Sequence, residues 1–327
     1  MKKIYGNRQL LDTLAGMVSG GRTAHSLLIC GEKGSGRKLA AKYYTMALMC
    51  ESPDNGRPCG RCTACGNVEK GIHPDVIFPE KSGKLGGYSV ETARNIIADA
   101  YVKPNNRSGC KVYIFGDCHN VDIRTQNTLL KLIEEPPDYA YFIFTCRSKE
   151  EFLPTIISRC VCFSTSPCTE DEAAESLRES GFDPQDISAA VSRFHGNIGM
   201  CESYISDESL RKQVDLTKAV ADSIISKDEY ALSVALCSVG KERSEVRAVL
   251  SMLDKLARDA AVLGKDESAG IIGCFPDEAR ELSQSVTASQ SARIHACIEK
   301  AWSAVESNVN LTLALTALGA EIMEIVG

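Results

Sequence analysis

The stretch that decides the fold runs from His25 to Lys38 and reads HSLLICGEKGSGRK. A short apolar run, Leu27 to Cys30, ends at a glycine-rich turn, and the residues from Arg37 to Met49 have the pattern of a helix. A strand, a glycine loop and a helix in this order are the setting of a Walker A loop, whose backbone N–H groups cradle phosphate. The sequence therefore predicts a phosphate-loop fold at this end of the chain.

The candidate loop keeps its glycine framework but lacks two functional side chains of the motif. Gly31, Gly34 and Gly36 are in place, whereas Arg37 and Lys38 stand where a lysine and a Ser or Thr are needed. Arg37 can still touch phosphate, but Lys38 cannot ligate Mg²⁺ because an ammonium group has no acceptor. We treat these five residues as a degenerate phosphate loop rather than as a firm nucleotide site.

The strand that follows carries a second departure from an ATPase. VYIFGDCHNV is an apolar strand followed by Asp117 and then by Cys118, where an active enzyme has a carboxylate to orient the attacking water. A thiol is a poor substitute, so hydrolysis at this site is not expected. A glycine-rich turn that never bound nucleotide explains the loop, but it does not explain the matching aspartate after the strand.

Strand and helix patterns alternate through the first half of the chain. Further strands are predicted at 75–78, 112–115 and 141–145, with helices at 90–101 and 122–134, an order typical of a parallel α/β sheet. Beyond residue 166 the patterns are helical. We predict an α/β plus α protein with three parts: an α/β domain at 1–166, a small helical domain at 167–206 and a larger helical domain at 207–327.

Four of the 15 cysteines form one local cluster, with the spacing C-x8-C-x2-C-x2-C. Cys50, Cys59, Cys62 and Cys65 offer four thiolates near one centre, which suits tetrahedral Zn²⁺ of a structural kind. Iron–sulfur ligation and free thiols are the alternatives. The pattern predicts a zinc module, at residues 50–73, inserted in the α/β domain.

Composition narrows the class of protein. The 327 residues carry 37 basic and 43 acidic side chains, a formal net charge of −6, with a pI near 5.6. A dedicated duplex-DNA binder usually has a basic excess, because neutralising phosphates supplies most non-specific affinity. The N-terminal residues show no signal-peptide pattern and no stretch is apolar enough to span a bilayer, so a cytoplasmic location is expected.

Several segments together resemble the clamp-loader subunits of bacterial DNA polymerase III, an AAA+ family. They are HSLLICGEKGSGRK, the four-cysteine module with His73-Pro74-Asp75, NTLLKLIEEPP from Asn127 to Pro137, and FIFTCRSKEEFLPTIISRC from Phe142 to Cys160. The resemblance implies an AAA+ α/β domain, a helical lid and a C-terminal helical collar that joins subunits. Glu134-Glu135, at a helix end before two prolines, is expected to have a solvated or interface role.

The resemblance also assigns roles to single residues. Ser158-Arg159-Cys160 matches the family's Ser-Arg-Cys motif, whose arginine reaches into a neighbour's ATP site, and Gly199 stands where ATP-binding members carry a lid arginine. Residues that serve the chain's own site are lost while the one that serves a neighbour is kept. This pattern resembles the delta-prime branch, with gamma/tau and delta subunits, the sliding clamp and primed DNA as partners, and with ATP held by neighbours. The alternative is a gamma/tau-like subunit with its own ATPase activity.

Overall fold

The structure is a computed structural model that describes residues 3–82, 87–119, 121–240, 242–307 and 309–327. The chain divides into two compact units. The first comprises the described residues of Met1–Ser176 together with Gly196–Met200, and the second comprises Leu177–His195 with Cys201–Gly327. The domain boundaries at 166 and 206 that the sequence suggests stay predictions.

The first unit alternates helices and strands. Its elements in chain order are α1 (Arg8–Ser19), β1 (Ser26–Cys30), α2 (Arg37–Met49), α3 (Thr63–Lys70), β2 (Val76–Ile77), α4 (Val90–Ala100), β3 (Lys111–Phe115), α5 (Ile123–Glu134), β4 (Ala140–Cys146), α6 (Pro154–Ile157) and β5 (Val161–Ser164). A 3₁₀ turn, Lys149–Glu151, precedes α6. Three helices follow in the chain: α7 (Glu170–Glu179), α8 (Pro184–Phe194) and α9 (Ile198–Ser206). Helix α8 belongs to the second unit, and the division between the units falls within α7 and α9.

In the described part of the chain five strands form one sheet in the order β2-β3-β4-β1-β5, and all their pairings are parallel. This confirms the predicted parallel α/β fold. Strands β1, β3 and β4 are buried along their whole length, which is why they stand out in the sequence as apolar runs. Strand β5 lies at the edge, mostly exposed, and its short sequence VCFS gave no strand signal.

Alternate residues of the strands face two separate cores. Leu27 and Ile29 of β1 belong to the core that α1, α2 and α3 cover, and Leu28 belongs to the core that α4 and α5 cover. The alternation follows from the two-residue period of a strand. The sheet therefore separates α2 and the cysteine module on one face from α5 and α6 on the other.

The carboxyl ends of the parallel strands gather the candidate residues at one edge of the sheet. The glycine loop follows β1, Asp117 follows β3 and Arg147 follows β4. The backbone N–H of Gly31 lies 3.2 Å from the carbonyl oxygens of both Cys146 and Arg147, which joins the loop to the end of β4. Ligands of open parallel sheets bind at this edge.

The second unit is helical where the structure describes it. Besides α8 it contains α10 (Glu208–Ile225), α11 (Glu229–Ser238), α12 (Arg243–Leu263), α13 (Pro276–Ser285), α14 (Ala288–Glu306) and α15 (Leu311–Val326). Helix α12 packs against α10, α13 and α14, while α15 packs against α11 and α14. None of the helices in the described ranges combines the length and the apolar character needed to span a membrane.

Candidate functional site: the glycine loop, the cysteine cluster and Arg159

The glycine loop between β1 and α2 has the backbone of a phosphate cradle. Gly34 and Gly36 have φ angles of 86° and 95°, in the region that favours glycine. The Ser35 hydroxyl donates to the carbonyl of Glu32 at 2.7 Å and lies 2.7 Å from the hydroxyl of Thr165, so it is turned into the protein. Helix α2 begins without a side-chain cap, and such a helix start suits an anion.

The two cations at the loop's functional positions both pair with Asp117. Arg37 Nη2 lies 3.1 Å from Asp117 Oδ1, and Lys38 Nζ lies 2.5 Å from Asp117 Oδ2. Burial by itself raises the pKa of Asp117, but the contact with Lys38 and the charges of Lys38 and Arg37 outweigh it, so the pKa lies below its ordinary value. The aspartate of the predicted Walker B strand is thus neutralised by the chain's own cations.

Cys118 offers no base to this region. Its side chain is buried, with 1% of the residue exposed, and its thiol donates to the carbonyl of Phe115 at 3.3 Å. Burial raises the pKa of the thiol well above its ordinary range. A buried, protonated thiol cannot orient an attacking water.

Gly199 lies directly on the glycine loop, with its backbone N–H 3.2 Å from the carbonyl oxygen of Gly34. A Cβ atom built on Gly199 would lie 2.6 Å from Gly34 Cα and 2.9 Å from Gly34 O. The neighbouring Asn197 side chain donates to the carbonyl of Lys33 at 2.9 Å and fixes this contact. Packing therefore excludes a side chain at position 199, where the resemblance to the family predicts a lid arginine in ATP-binding members.

A cavity of about 400 Å³ is lined by Gly34, Gly36, Arg37, Lys38, Asp117 and Gly199, together with further side chains that the sequence did not predict. The side chains not predicted are His119, Arg147 and Glu151. They follow β3 and β4 in the chain, and their position after predicted strands could have indicated them, because ligands bind at the carboxyl ends of parallel strands. Burial raises the pKa of Glu151. Within the described ranges, two buried atoms of this cavity, Arg37 Nη1 and Glu151 Oε2, have no hydrogen-bond partner.

The residues of this cavity do not fit a Mg²⁺–nucleotide held in the Walker manner. Mg²⁺ takes oxygen ligands, and the position that should supply a hydroxyl carries Lys38, an ammonium that is a donor only. That ammonium group also forms an ion pair with Asp117, the carboxylate that follows β3. An excess of cations would still attract an anion, but the metal has no suitable ligand pair here.

The four cysteines lie together at the end of α2 and the start of α3. Cys50 follows the last residue of α2, Cys62 is the N-cap of α3 and Cys65 lies in its first turn. With Cys59, their sulfur atoms all lie within 4.8 Å of one another. Gly60, with a φ of 69°, makes the tight turn between the second and third cysteines.

Backbone N–H groups approach three of these sulfur atoms, while burial raises the pKa of the Cys50 and Cys65 thiols. Backbone N–H groups of Cys59, Cys62 and Cys65 lie 3.3–3.4 Å from the sulfur of the preceding cysteine of the set. The N–H groups of Arg61 and Cys62 lower the pKa of the Cys59 thiol to about 6. Four clustered sulfur donors fit a structural Zn²⁺ ion, which would tie α2 to α3 without an open coordination position. His73 accepts a backbone N–H from Asp75 instead.

Arg159 lies just after α6 and is held by neighbours within its own unit. Its Nε lies 2.7 Å from Glu134 Oε1, and its Nη1 donates to the carbonyl of Thr155 at 2.9 Å and to the Ser158 hydroxyl at 3.2 Å. About 40% of the Arg159 side chain is exposed. The pair with Glu134 could not be predicted from the sequence, because no local pattern links residues that far apart.

Comparison with known proteins decides the family. A family model described as DNA polymerase III, delta subunit, matches residues 6–169, half of the chain. The chain belongs to this family. It is a clamp-loader AAA+ family, and the fold of the first unit agrees with that assignment.

Individual relatives of this clamp-loader chain come from more than one branch. The DNA polymerase III subunit gamma of Buchnera aphidicola from Schizaphis graminum is 32% identical over 177 residues, 54% of this chain and 48% of the relative. The DNA polymerase III subunit delta' of Escherichia coli is 29% identical over 228 residues, 69% of this chain and 67% of the relative. The chain thus spans about half the length of the Buchnera gamma subunit that it matches.

A solved structure with a related name aligns over nearly the whole chain. It is a DNA polymerase III gamma-subunit-related protein of Thermotoga maritima, with a TM-score of 0.41, 17% identity, and coverage of 97% of this chain and 100% of that chain.

Proposed function

We propose that this chain is a delta-prime-like subunit of the bacterial replicative clamp loader. It would not turn over ATP itself, and it would supply Arg159 to the ATP site of a neighbouring gamma/tau subunit. The assembly would open the sliding clamp and place it on primed DNA. One observation carries the proposal: Asp117 is bound by Arg37 and Lys38 within the chain, whereas Arg159 is presented at the surface.

Three features of the region around the glycine loop support the absence of hydrolysis. Lys38 takes the place of a metal-binding hydroxyl, Cys118 is buried where a catalytic carboxylate is required, and Gly199 leaves no room for a lid arginine. Phosphoryl transfer depends on positioning a metal, a water and compensating charges. With the hydroxyl, the carboxylate and the lid arginine lacking, we do not expect the cavity to support hydrolysis.

The chemistry of Arg159 supports the role in a neighbour's site. A guanidinium stays charged at every physiological pH and can contact two phosphate oxygens at once. An arginine finger contributes a factor of about 10³–10⁵ in the rate of phosphoryl transfer. The side chain of Arg159 is partly exposed and is therefore accessible to a partner.

The other parts of the chain would serve assembly. The C-terminal helices α10–α15 would join the collar that holds the subunits together, and the cysteine cluster would hold zinc as a structural element of the first unit. The net charge of −6 fits a subunit whose own contact with DNA is minor.

The second candidate function is a gamma/tau-like motor with its own ATPase. The observation in its favour is that relatives named gamma and tau match this chain at 32% and 26% identity. It requires Arg37 or Lys38 to replace the missing lysine and hydroxyl, although both are paired with Asp117.

The test is ATP hydrolysis by the purified chain, alone and then reconstituted with gamma/tau and delta subunits. We expect no turnover by the chain alone, and turnover in the mixture that falls when Arg159→Ala replaces the wild-type chain. Assembly of the variant is checked by gel filtration, so that loss of turnover is not loss of the complex. Turnover by the chain alone would favour the motor, and undiminished turnover with Arg159→Ala would refute the finger.

A further inference from the structure

We propose that Glu134 is a positioning residue for Arg159, which orients the guanidinium toward the ATP site of the neighbouring subunit. The inference rests on the proposed function and adds a residue to it. Glu134 Oε1 lies 2.7 Å from Arg159 Nε, the guanidinium nitrogen that is bonded to the aliphatic part of the side chain. This contact is the only ion pair that Arg159 makes with the part of the chain that the structure describes.

The contacts of Arg159 divide its guanidinium into a held part and an open part. Nε faces Glu134, and Nη1 donates to the carbonyl of Thr155 and to the Ser158 hydroxyl. Among the described residues nothing accepts a hydrogen bond from Nη2. A guanidinium is planar, so fixing Nε and Nη1 fixes the direction in which the Nη2 hydrogens point. The geometry points to Nη2 as the group left for a phosphate oxygen.

Both residues stand on well-anchored elements of the first unit. Glu134 is the last residue of α5, just after Leu132 and Ile133, which are buried in the core beneath that helix. Arg159 follows α6, whose Ile156 is fully buried in the same core. Helices α5 and α6 also pack against each other. The separation of the carboxylate and the arginine backbone is therefore set by packing and not by the ion pair itself.

The exposure of the pair fits orientation better than stabilisation. Both side chains are about 40% exposed, 40% for Arg159 and 42% for Glu134, and ion pairs this exposed contribute little to folding. An arginine side chain has many rotamers, and holding it in one of them lowers the cost of meeting its ligand. Glu134 would act by this preorganisation.

The chain offers a matched control beside Glu134. Glu135 is the next residue, is also exposed and has the same charge, but it makes no ion pair within the described ranges. Glu134→Gln and Glu135→Gln therefore remove one negative charge each at nearly the same place. The two variants share any effect of net charge on assembly, and they differ in the contact with Arg159.

The experiment measures ATP hydrolysis by the loader reconstituted with gamma/tau and delta subunits and each variant chain. We expect Glu134→Gln to lower kcat at the neighbouring site by about three- to tenfold, with KM for ATP unchanged, because a lost exposed ion pair and a less ordered arginine have effects of this size. Glu135→Gln should match the wild type. Thermal melting of the chain should stay the same in both, a readout that a structural role for Glu134 would change.

A double variant separates this inference from the function on which it rests. If Glu134 acts through Arg159, then Glu134→Gln combined with Arg159→Ala is no slower than Arg159→Ala alone. Two outcomes overturn the role of Glu134 but leave the arginine finger intact. In the first, the losses of the two single variants add up in the double variant. In the second, Arg159→Ala lowers kcat and Glu134→Gln does not. Full turnover with Arg159→Ala overturns both.

Discussion

Two arginine–carboxylate pairs in one unit differ chiefly in burial. Arg37, with 7% of its side chain exposed, is locked to Asp117 in the cavity, whereas Arg159, with 40% exposed, meets Glu134 at the surface. Removing one partner of a buried pair strands a charge, while an exposed pair separates at little cost. An arginine and a carboxylate thus neutralise each other inside the cavity, whereas at the surface such a pair leaves part of the guanidinium group accessible.

The largest expected effect tests whether the two faces of the sheet, one covered by α2 and α3 and the other by α5, unfold independently. Cys62→Ser should remove zinc and destabilise α2 and α3, because structural zinc contributes about 10–16 kcal/mol in peptide-sized sites. The loss of stability should be confined to the face of the sheet that carries the cysteine cluster and α2. Hydrogen exchange should show that α2 and α3 lose protection while α5 stays protected as before. Metal analysis should find about one zinc ion per chain in the wild type and less in the variant.

Two outcomes would contradict this prediction. An unchanged melting profile with no metal in the wild-type chain would leave the four cysteines as free thiols. Equal loss of protection in α5 would show that the two faces of the sheet unfold together.

The next effect breaks the buried pair. Asp117→Asn leaves the Arg37 guanidinium buried without its counter-ion and should cost about 3 kcal/mol in the free energy of unfolding at neutral pH. Asp12→Asn is the control, because Asp12 pairs with Arg57 where both side chains are more than half exposed, and its cost should be below about 1 kcal/mol. Urea unfolding measures both, and equal costs would remove the contrast between buried and exposed pairs.

The pH dependence of the same pair has a definite sign. The pKa of Asp117 is lower in the folded chain than its ordinary value of 3.8, so its contribution to stability is present above that value. It is lost as the pH falls through the lower, folded pKa. The difference in stability between the wild type and Asp117→Asn should therefore be constant near neutrality and shrink below about pH 4. A difference that persists unchanged at pH 3 would show that the carboxylate charge is not responsible.

The smallest effect concerns the contact between Gly199 and Gly34. Alanine normally stabilises a helix relative to glycine, but at Gly199 the added Cβ meets the glycine loop, and the overpacking should cost about 1–3 kcal/mol. Gly16→Ala, in α1 with open space around its Cβ position, should be neutral or stabilising. Thermal melting of the two variants compares them, and a stabilised Gly199→Ala chain would mean that a lid side chain can be accommodated.

The difference between what sequence could and could not predict has a physical basis. Strands β1 and β4 are buried on both faces and α2 follows a glycine N-cap, so local patterns were sufficient to predict them. The exposed edge strand β5 has no such pattern and was missed.

The sites show the same limit. Motif spacing found the glycine loop, Asp117 and the four cysteines, since each motif is local in the chain. The capture of Asp117 by Arg37 and Lys38, and the contact of Arg159 with Glu134, join residues from separate elements. Such contacts depend on how the sheet brings its strand ends and helices together, which no single segment encodes.

The most direct test of the proposed function compares the two arginines in the same reconstituted loader. ATP hydrolysis at the site beside this chain should fall by a factor of about 10³ or more with Arg159→Ala. It should stay within about twofold of the wild type with Arg37→Ala in a loader that has assembled normally, because Arg37 takes no part in turnover by the proposed function. A large loss with Arg37→Ala and none with Arg159→Ala would contradict the account and show that the chain works through its own cavity.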